Sequence, residues 1–155
     1  MTGERAQHWT RVYEEKDPSA VSWYQAQPEP SLRVLDRLGV EASSSLIDIG
    51  GGASTLVDAL LERGSSDLTV LDIAPSALEA AKKRLGARAA EVRWEVADIT
   101  DWQPSRRYDV WHDRAVFHFL TAPEQREAYR GALAAGLAKD GLVIMATFAL
   151  DGPER

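Results

Sequence analysis

Leu46-Ile47-Asp48-Ile49-Gly50-Gly51-Gly52-Ala53-Ser54-Thr55 is the stretch on which the reading of this chain turns. An apolar run carries one acid, meets three glycines, and ends in a small polar pair that can open a helix. Glycine lacks a Cβ and tolerates positive φ, so such a turn lets backbone come close to a ligand. Where a first strand hands over to a first helix, the turn lies in the ligand crevice of an open parallel sheet. The dinucleotide fingerprint G-x-G-x-x-G is met at Gly50 and Gly52 but finds Thr55 at its third position. A phosphate-binding P-loop is excluded, because no Gly-Lys-Ser/Thr follows. Asp48 places a negative charge beside the turn, which suits a cationic ligand better than a diphosphate.

Outward from this turn the chain alternates. Strands are expected at Ser45–Ile49, Asp67–Asp72, Glu91–Val96, Tyr108–His112 and Gly141–Leu150, with helices at Thr55–Arg63, Ser76–Leu85 and Pro123–Lys139. The connection Asp98–Arg107 has room for a turn or a reduced helix. Alternating β and α elements predict an α/β fold, a doubly wound and mainly parallel sheet of about five strands between two helical layers. Ahead of it, Ala6, Trp9, Val12 and Tyr13 recur at helical spacing from Glu4 to about Lys16, and Asp17-Pro18 ends that helix. Trp23-Tyr24-Gln25 forms an aromatic connector. A second helix follows Pro28 and Pro30, with Leu32, Leu35 and Leu38 on one face and Gly39 at its end. Residues 1–40 thus read as a helical cap and 41–155 as the core of a single domain.

The bulk properties narrow the function. The 155 residues suffice for one domain with a core. The formal net charge of −6 argues against nucleic acid and anionic membrane as general partners. With no cysteine there is no disulfide, thiolate metal site or cysteine nucleophile, which fits a cytoplasmic location. The N-terminus leads into charged sequence without a signal-peptide pattern, and no apolar run approaches the ~20 residues of a membrane helix.

Three further places carry chemistry. Asp72 ends the second strand ~20 residues after the glycines, where an acid either holds a ribose hydroxyl pair or caps the next helix. Asp98 follows the third strand and is either an acceptor for an exocyclic amine or a loop carboxylate in water. His112, Asp113 and Arg114 close the fourth strand. Charged groups there either face the crevice or pair internally. His112 and His118 lack an evident third ligand, so no metal is expected. Trp9 and Tyr13 either fill a hydrophobic seam or cover a site.

Together these residues resemble the class I methyltransferases that use S-adenosyl-L-methionine. Asp48, Gly50, Gly52, Asp72 and Asp98 match that family's positions in order, over Ser45 to Leu150. The resemblance implies that the D-x-G-x-G turn lies against the methionine part of the cofactor, Asp72 holds the ribose and Asp98 the adenine amine. Ser54, Ile73 and Ile99, beside these positions, complete the expected cofactor contacts. A narrower likeness is to the thiopurine methyltransferase type and related bacterial small-molecule enzymes. It implies a lid of Trp9, Tyr13, Trp23 and Tyr24, and a W-D-R-G-type segment like Trp111-His112-Asp113-Arg114-Ala115. In that segment His112 is inserted and Ala replaces Gly. His112, Asp113 and Arg114 are then the expected catalytic group, orienting a small-molecule or protein methyl acceptor, with His112 a proton acceptor. The family sheet ends in an antiparallel hairpin, whereas this sequence stops after its fifth strand. A fragment, a minimal version, or a partner covering Gly141–Leu150, as in a homodimer, would account for that. Two rival readings remain at this level: a non-catalytic cofactor-binding module that associates through its last strand, and a nicotinamide-dependent oxidoreductase, against which Thr55 speaks.

Overall fold

A computed structural model describes residues 29–114, 116–117 and 120–146. The expected helix over Glu4–Lys16, with Trp9 and Tyr13, and the connector with Trp23 and Tyr24 lie outside the described residues, as do His118 and residues 147–150 of the last expected strand.

The elements in order are α1 (Glu29–Arg37), β1 (Leu46–Ile49), a 3-10 turn (Gly51–Ala53), α2 (Leu56–Glu62), β2 (Leu68–Asp72), α3 (Pro75–Leu85), a second 3-10 segment (Gly86–Glu91), β3 (Val92–Val96), β4 (Tyr108–Arg114), α4 (Pro123–Gly136) and β5 (Leu137–Ala146). The strands form one sheet in the order β3-β2-β1-β4-β5. All four pairings are parallel. This is the expected doubly wound fold, with β1 at the centre, β2 and β3 added on one side of it and β4 and β5 on the other.

Pleating sorts the strand residues between two cores, because successive side chains point to opposite faces. Leu46, Leu68, Val70, Val92 and Val110 pack with Leu35 of α1, Leu56 and Leu60 of α2 and Leu78 of α3. Ile47, Ile49, Leu71 and Trp111 face the other way, onto Ile99, Leu120 and, from α4, Tyr129 and Ala132. β1 and β2 are buried along their whole length. That explains why they read as unbroken apolar runs rather than as an alternation.

Several boundaries move. β4 continues through Asp113 and Arg114, since its ladder with β5 runs from Val110↔Leu142 to Arg114↔Ala146. α4 stops at Gly136, not Lys139, and β5 begins at Leu137, which pairs with Tyr108. Between Leu137 and Leu142 the strand bulges, with Asp140 at φ 64°. Strand pairing there overrides the helix-forming composition of Leu137-Ala138-Lys139. In α1, Leu38 falls beyond the last turn and is 47% exposed instead of joining the apolar face. Gly39 at φ 72° turns the chain, and Val40 N–H closes back onto the Leu35 carbonyl at 3.0 Å. The connection between β3 and β4 holds only a turn.

Candidate functional site

The C-terminal ends of β1, β2 and β3 bring Asp48, Asp72 and Asp98 to one rim of the sheet. All three are buried. The parallel register sets them side by side, with Ile49 opposite Leu71 and Asp72 opposite Val96.

The glycine turn wraps around the first two acids. Gly50 lies in the left-handed region at φ 73°, and its N–H donates to the Leu71 carbonyl at 2.7 Å. A Cβ on Gly50 would collide with Val116. One on Gly51 would come within 2.5 Å of Asp48 Oδ2, and one on Gly52 within 2.8 Å of both Asp72 Oδ2 and Ala77 Cβ. The three glycines are therefore needed first by the protein itself, because the loop is wound directly onto the carboxylates. Ser54, also buried, accepts the Leu56 N–H through Oγ at 3.0 Å and so starts α2.

Asp72 clasps the turn. Its Oδ2 accepts the Gly52 N–H at 3.0 Å and its Oδ1 the Ala74 N–H at 2.9 Å. Burial lifts its pKa to about 6, offset in part by those N–H groups and reinforced by the nearby Asp48 charge. Of the two alternatives for Asp72, the helix cap is not realised: Ala74 is the N-cap of α3 and has no side-chain cap hydrogen bond, so Asp72 turns the chain into the helix, while each of its oxygens keeps a lone pair for a further donor. Ile73, half-buried, follows it on the rim. Asp98 Oδ1 accepts the Thr100 N–H at 2.9 Å and the Thr100 hydroxyl at 2.7 Å. Ile99 is buried beneath it.

Asp48 is engaged on one side only. Its Oδ1 meets His112 Nδ1 at 2.9 Å, across the β1–β4 register that pairs these two residues. Its Oδ2 is buried without a hydrogen-bond partner among the described residues. An unpaired carboxylate oxygen is costly in the interior, and this one points at the glycine turn.

The end of β4 differs from the expectation that its polar residues face an open crevice. His112 is fully buried on the α1 side, with Nε2 2.8 Å from Ser31 Oγ. Asp113 is fully buried on the α4 side. It accepts the Val116 N–H at 2.7 Å, the Phe117 N–H at 3.1 Å and the Tyr129 hydroxyl, which in turn accepts Trp111 Nε1–H at 2.9 Å. Burial raises the Asp113 pKa against the lowering effect of those donors. Burial and the Asp113 charge also push up that of Tyr129. The β4 pleat separates these neighbours onto opposite faces. The Arg114 side chain lies outside the described parts of the structure. Ser31 and Tyr129 were not singled out in the sequence; both sit on helices, and it is the packing of α1 and α4 on opposite faces of the sheet that brings them to His112 and Asp113. Among the described residues no group of three or more acidic or histidine side chains is placed to hold a metal ion.

A family model described as a methyltransferase domain matches residues 46–141, from the first residue of β1 to the bulge of β5. The chain belongs to the class I S-adenosylmethionine-dependent methyltransferases. This methyltransferase chain is 34% identical over 110 residues to a malonyl-[acyl-carrier protein] O-methyltransferase of Anoxybacillus flavithermus, covering 70% of the chain and 40% of that relative. It thus spans about two fifths of the relative's length. Among solved structures, an amino pentose methyltransferase from Micromonospora echinaspora with S-adenosylmethionine bound superposes with a TM-score of 0.66 at 22% identity, covering 95% of this chain and 58% of that one. A TehB-like S-adenosylmethionine-dependent methyltransferase from Corynebacterium glutamicum gives 0.65 at 23% identity, covering 97% and 74%. These two share the fold.

Proposed function

We propose that this methyltransferase chain binds S-adenosyl-L-methionine at the β1–β2–β3 rim and serves transfer of its methyl group to a small-molecule or protein nucleophile. One observation carries the reading: three buried acids lie on consecutive strand ends, two of them against glycines that leave no room for a Cβ, and among the described residues one of their oxygens is unpaired. The residues present suit this cofactor. Asp72 accepts from the ribose hydroxyls, Asp98 from the adenine amine, and Ile73 and Ile99 supply apolar walls. Gly50 and Gly52 let the methionine portion approach the backbone beside Ser54, and Asp48 Oδ2 faces its ammonium.

When bound, the cofactor supplies an already electrophilic sulfonium methyl. The chain therefore has to align donor and acceptor and keep water out. The lid expected of Trp9, Tyr13, Trp23 and Tyr24, which lie outside the described residues, would serve the second of these tasks. Arg114, leaving β4 at the same rim, orients the acceptor. His112 and Asp113 act from behind, His112 by holding Asp48 and Asp113 by holding the turn at Val116 that abuts Gly50.

Calorimetry with S-adenosylhomocysteine tests this. The folded chain binds, and Asp72→Ala weakens binding at least tenfold. Absence of binding by a folded sample, or equal affinity of the two proteins, refutes it.

A second reading rests on β5. It borders the sheet, and Val143 and Met145, on one face of it, are 41% and 39% exposed. An edge with exposed apolar side chains favours strand addition. A second copy pairing along Gly141–Leu150 would form a homodimer, whether or not the chain is catalytic. Among the described residues no helix is long and apolar enough to cross a membrane, and a chain without cysteine suits the cytoplasm.

A further inference from the structure

One buried polar chain has no part in the contacts proposed for the cofactor, yet ends on them. Ser31, in the first turn of α1, is 8% exposed, and His112 and Asp48 are buried deeper still. Both ring nitrogens of His112 are engaged, Nε2 with Ser31 Oγ at 2.8 Å and Nδ1 with Asp48 Oδ1 at 2.9 Å. A carboxylate only accepts, so Nδ1–H donates to Asp48. In the neutral ring Nε2 then accepts the Ser31 hydroxyl proton. The series Ser31 O–H to His112 to Asp48 thus has one direction. It crosses from the helical cap to the glycine turn through three elements that meet only in the folded state.

Its end point is specific. Carboxylate geometry is rigid, so fixing Oδ1 also fixes Oδ2, the oxygen that has no partner among the described residues and lies where Gly51 has no Cβ. Removing the His112 contact frees the carboxylate to rotate and satisfy Oδ2 elsewhere. Side chains that stand behind a ligating group and hydrogen-bond to it orient it in this way.

We propose that Ser31 and His112 are positioning residues that aim Asp48 Oδ2 at a cationic group of the ligand, the ammonium of the methionine moiety. The relay thereby couples α1 to occupancy of the glycine turn. This rests on the donor-site reading given above.

The test compares two ligands and three variants in the full chain by calorimetry. S-adenosylhomocysteine carries the ammonium, whereas 5′-deoxy-5′-methylthioadenosine keeps the nucleoside and lacks it. In His112→Asn the side-chain amide nitrogen takes the place of Nδ1 and still donates to Asp48. In His112→Gln it takes the place of Nε2 and reaches only toward Ser31. The expected result is a loss of tenfold or more in S-adenosylhomocysteine affinity for His112→Gln and of less than threefold for His112→Asn. Ser31→Ala falls between them. Methylthioadenosine affinity changes by less than threefold in all three. A merely structural histidine would weaken both ligands together, in step with lost thermal stability, and that outcome overturns the proposal. If the wild-type chain binds methylthioadenosine but gains nothing from the amino-acid portion, the relay fails while the nucleoside site stands. If it binds neither ligand, the donor-site reading fails and the relay with it.

Discussion

Asp72 holds the glycine turn and, in the proposed site, the ligand as well. It sits where its burial costs energy, since its pKa of about 6 lies above the ordinary 3.8. Such a group favours the folded state most when protonated. Its contribution is full below the unfolded value and is lost as pH rises through about 6. At neutral pH this amounts to about 3 kcal/mol against folding, at 1.36 kcal/mol per unit of pKa. A donor that hydrogen-bonds the ionised form reclaims part of this. Binding should consequently weaken as the pH falls below about 6, approaching about tenfold per pH unit for a single linked proton. Titration calorimetry with S-adenosylhomocysteine between pH 4.5 and 8 checks it, and a flat profile over that range counts against Asp72 as the ribose acceptor. Asp72 was legible in the sequence because its place depends only on local order: strand, glycines, helix, strand end. The Asp48–His112 contact was not, although the two are only 64 residues apart. It depends on which β4 residue lies opposite β1, and a slip of one residue would turn His112 to the other face.

At the scale of elements, the turn after β4 is held by α4. Tyr129 reaches from the helix to Asp113, which accepts the N–H groups of Val116 and Phe117, and Trp111 Nε1–H fills the other side of the tyrosine oxygen. The rings add to this, with Phe117 and Trp111 edge-on to Tyr129 at centroid distances of 5.1 and 5.9 Å. Tyr129→Phe keeps the ring packing and removes the hydroxyl, leaving a buried indole N–H and one Asp113 oxygen short of a partner. The expected cost is about 1–3 kcal/mol, read by urea denaturation. The tyrosine lowers the Asp113 pKa, so its loss raises that pKa further. The deficit should therefore widen as pH rises from the acid side through the raised Asp113 pKa; a pH-independent deficit would show that Asp113 is not the partner that matters. The sequence announced α4 through its apolar spacing and Pro123. It concealed where α4 ends, because Leu137 pairs with Tyr108 for reasons of sheet geometry that composition does not record.

For the whole molecule, the sheet has one rim devoted to the site and another to cohesion. At the N-terminal ends of the strands Arg106 grips Asp67 with two hydrogen bonds, of 2.9 and 2.8 Å, while Asp109 accepts from Ser45 backbone and side chain. Layer architecture and parallel pairing follow from β-α alternation and right-handed crossovers, which is why the fold class was readable from sequence, whereas the strand order β3-β2-β1-β4-β5 comes from the structure. What lies beyond the edge of β5 was not, since an edge is defined by its missing neighbour. If a second copy supplies that neighbour, light scattering at micromolar concentration gives twice the chain mass, and Val143→Lys returns the monomer, because an edge lysine resists pairing. A monomeric wild type would leave the edge to another kind of partner.

The central place of β1 has a consequence in time. Its ladder with β2 can close early, but its other side waits for β4, with Ser45 and Asp109 separated by 64 residues. Parallel pairings across such distances carry a loop-closure cost before any contact repays it, and they slow folding. On the ribosome, the nascent chain therefore holds β1 with one flank open until residues through Val116 have emerged. The glycine turn takes its final shape only then, since Val116 and His112 come with that last flank. A chain able to bind its ligand has by that fact finished assembling the middle of its sheet.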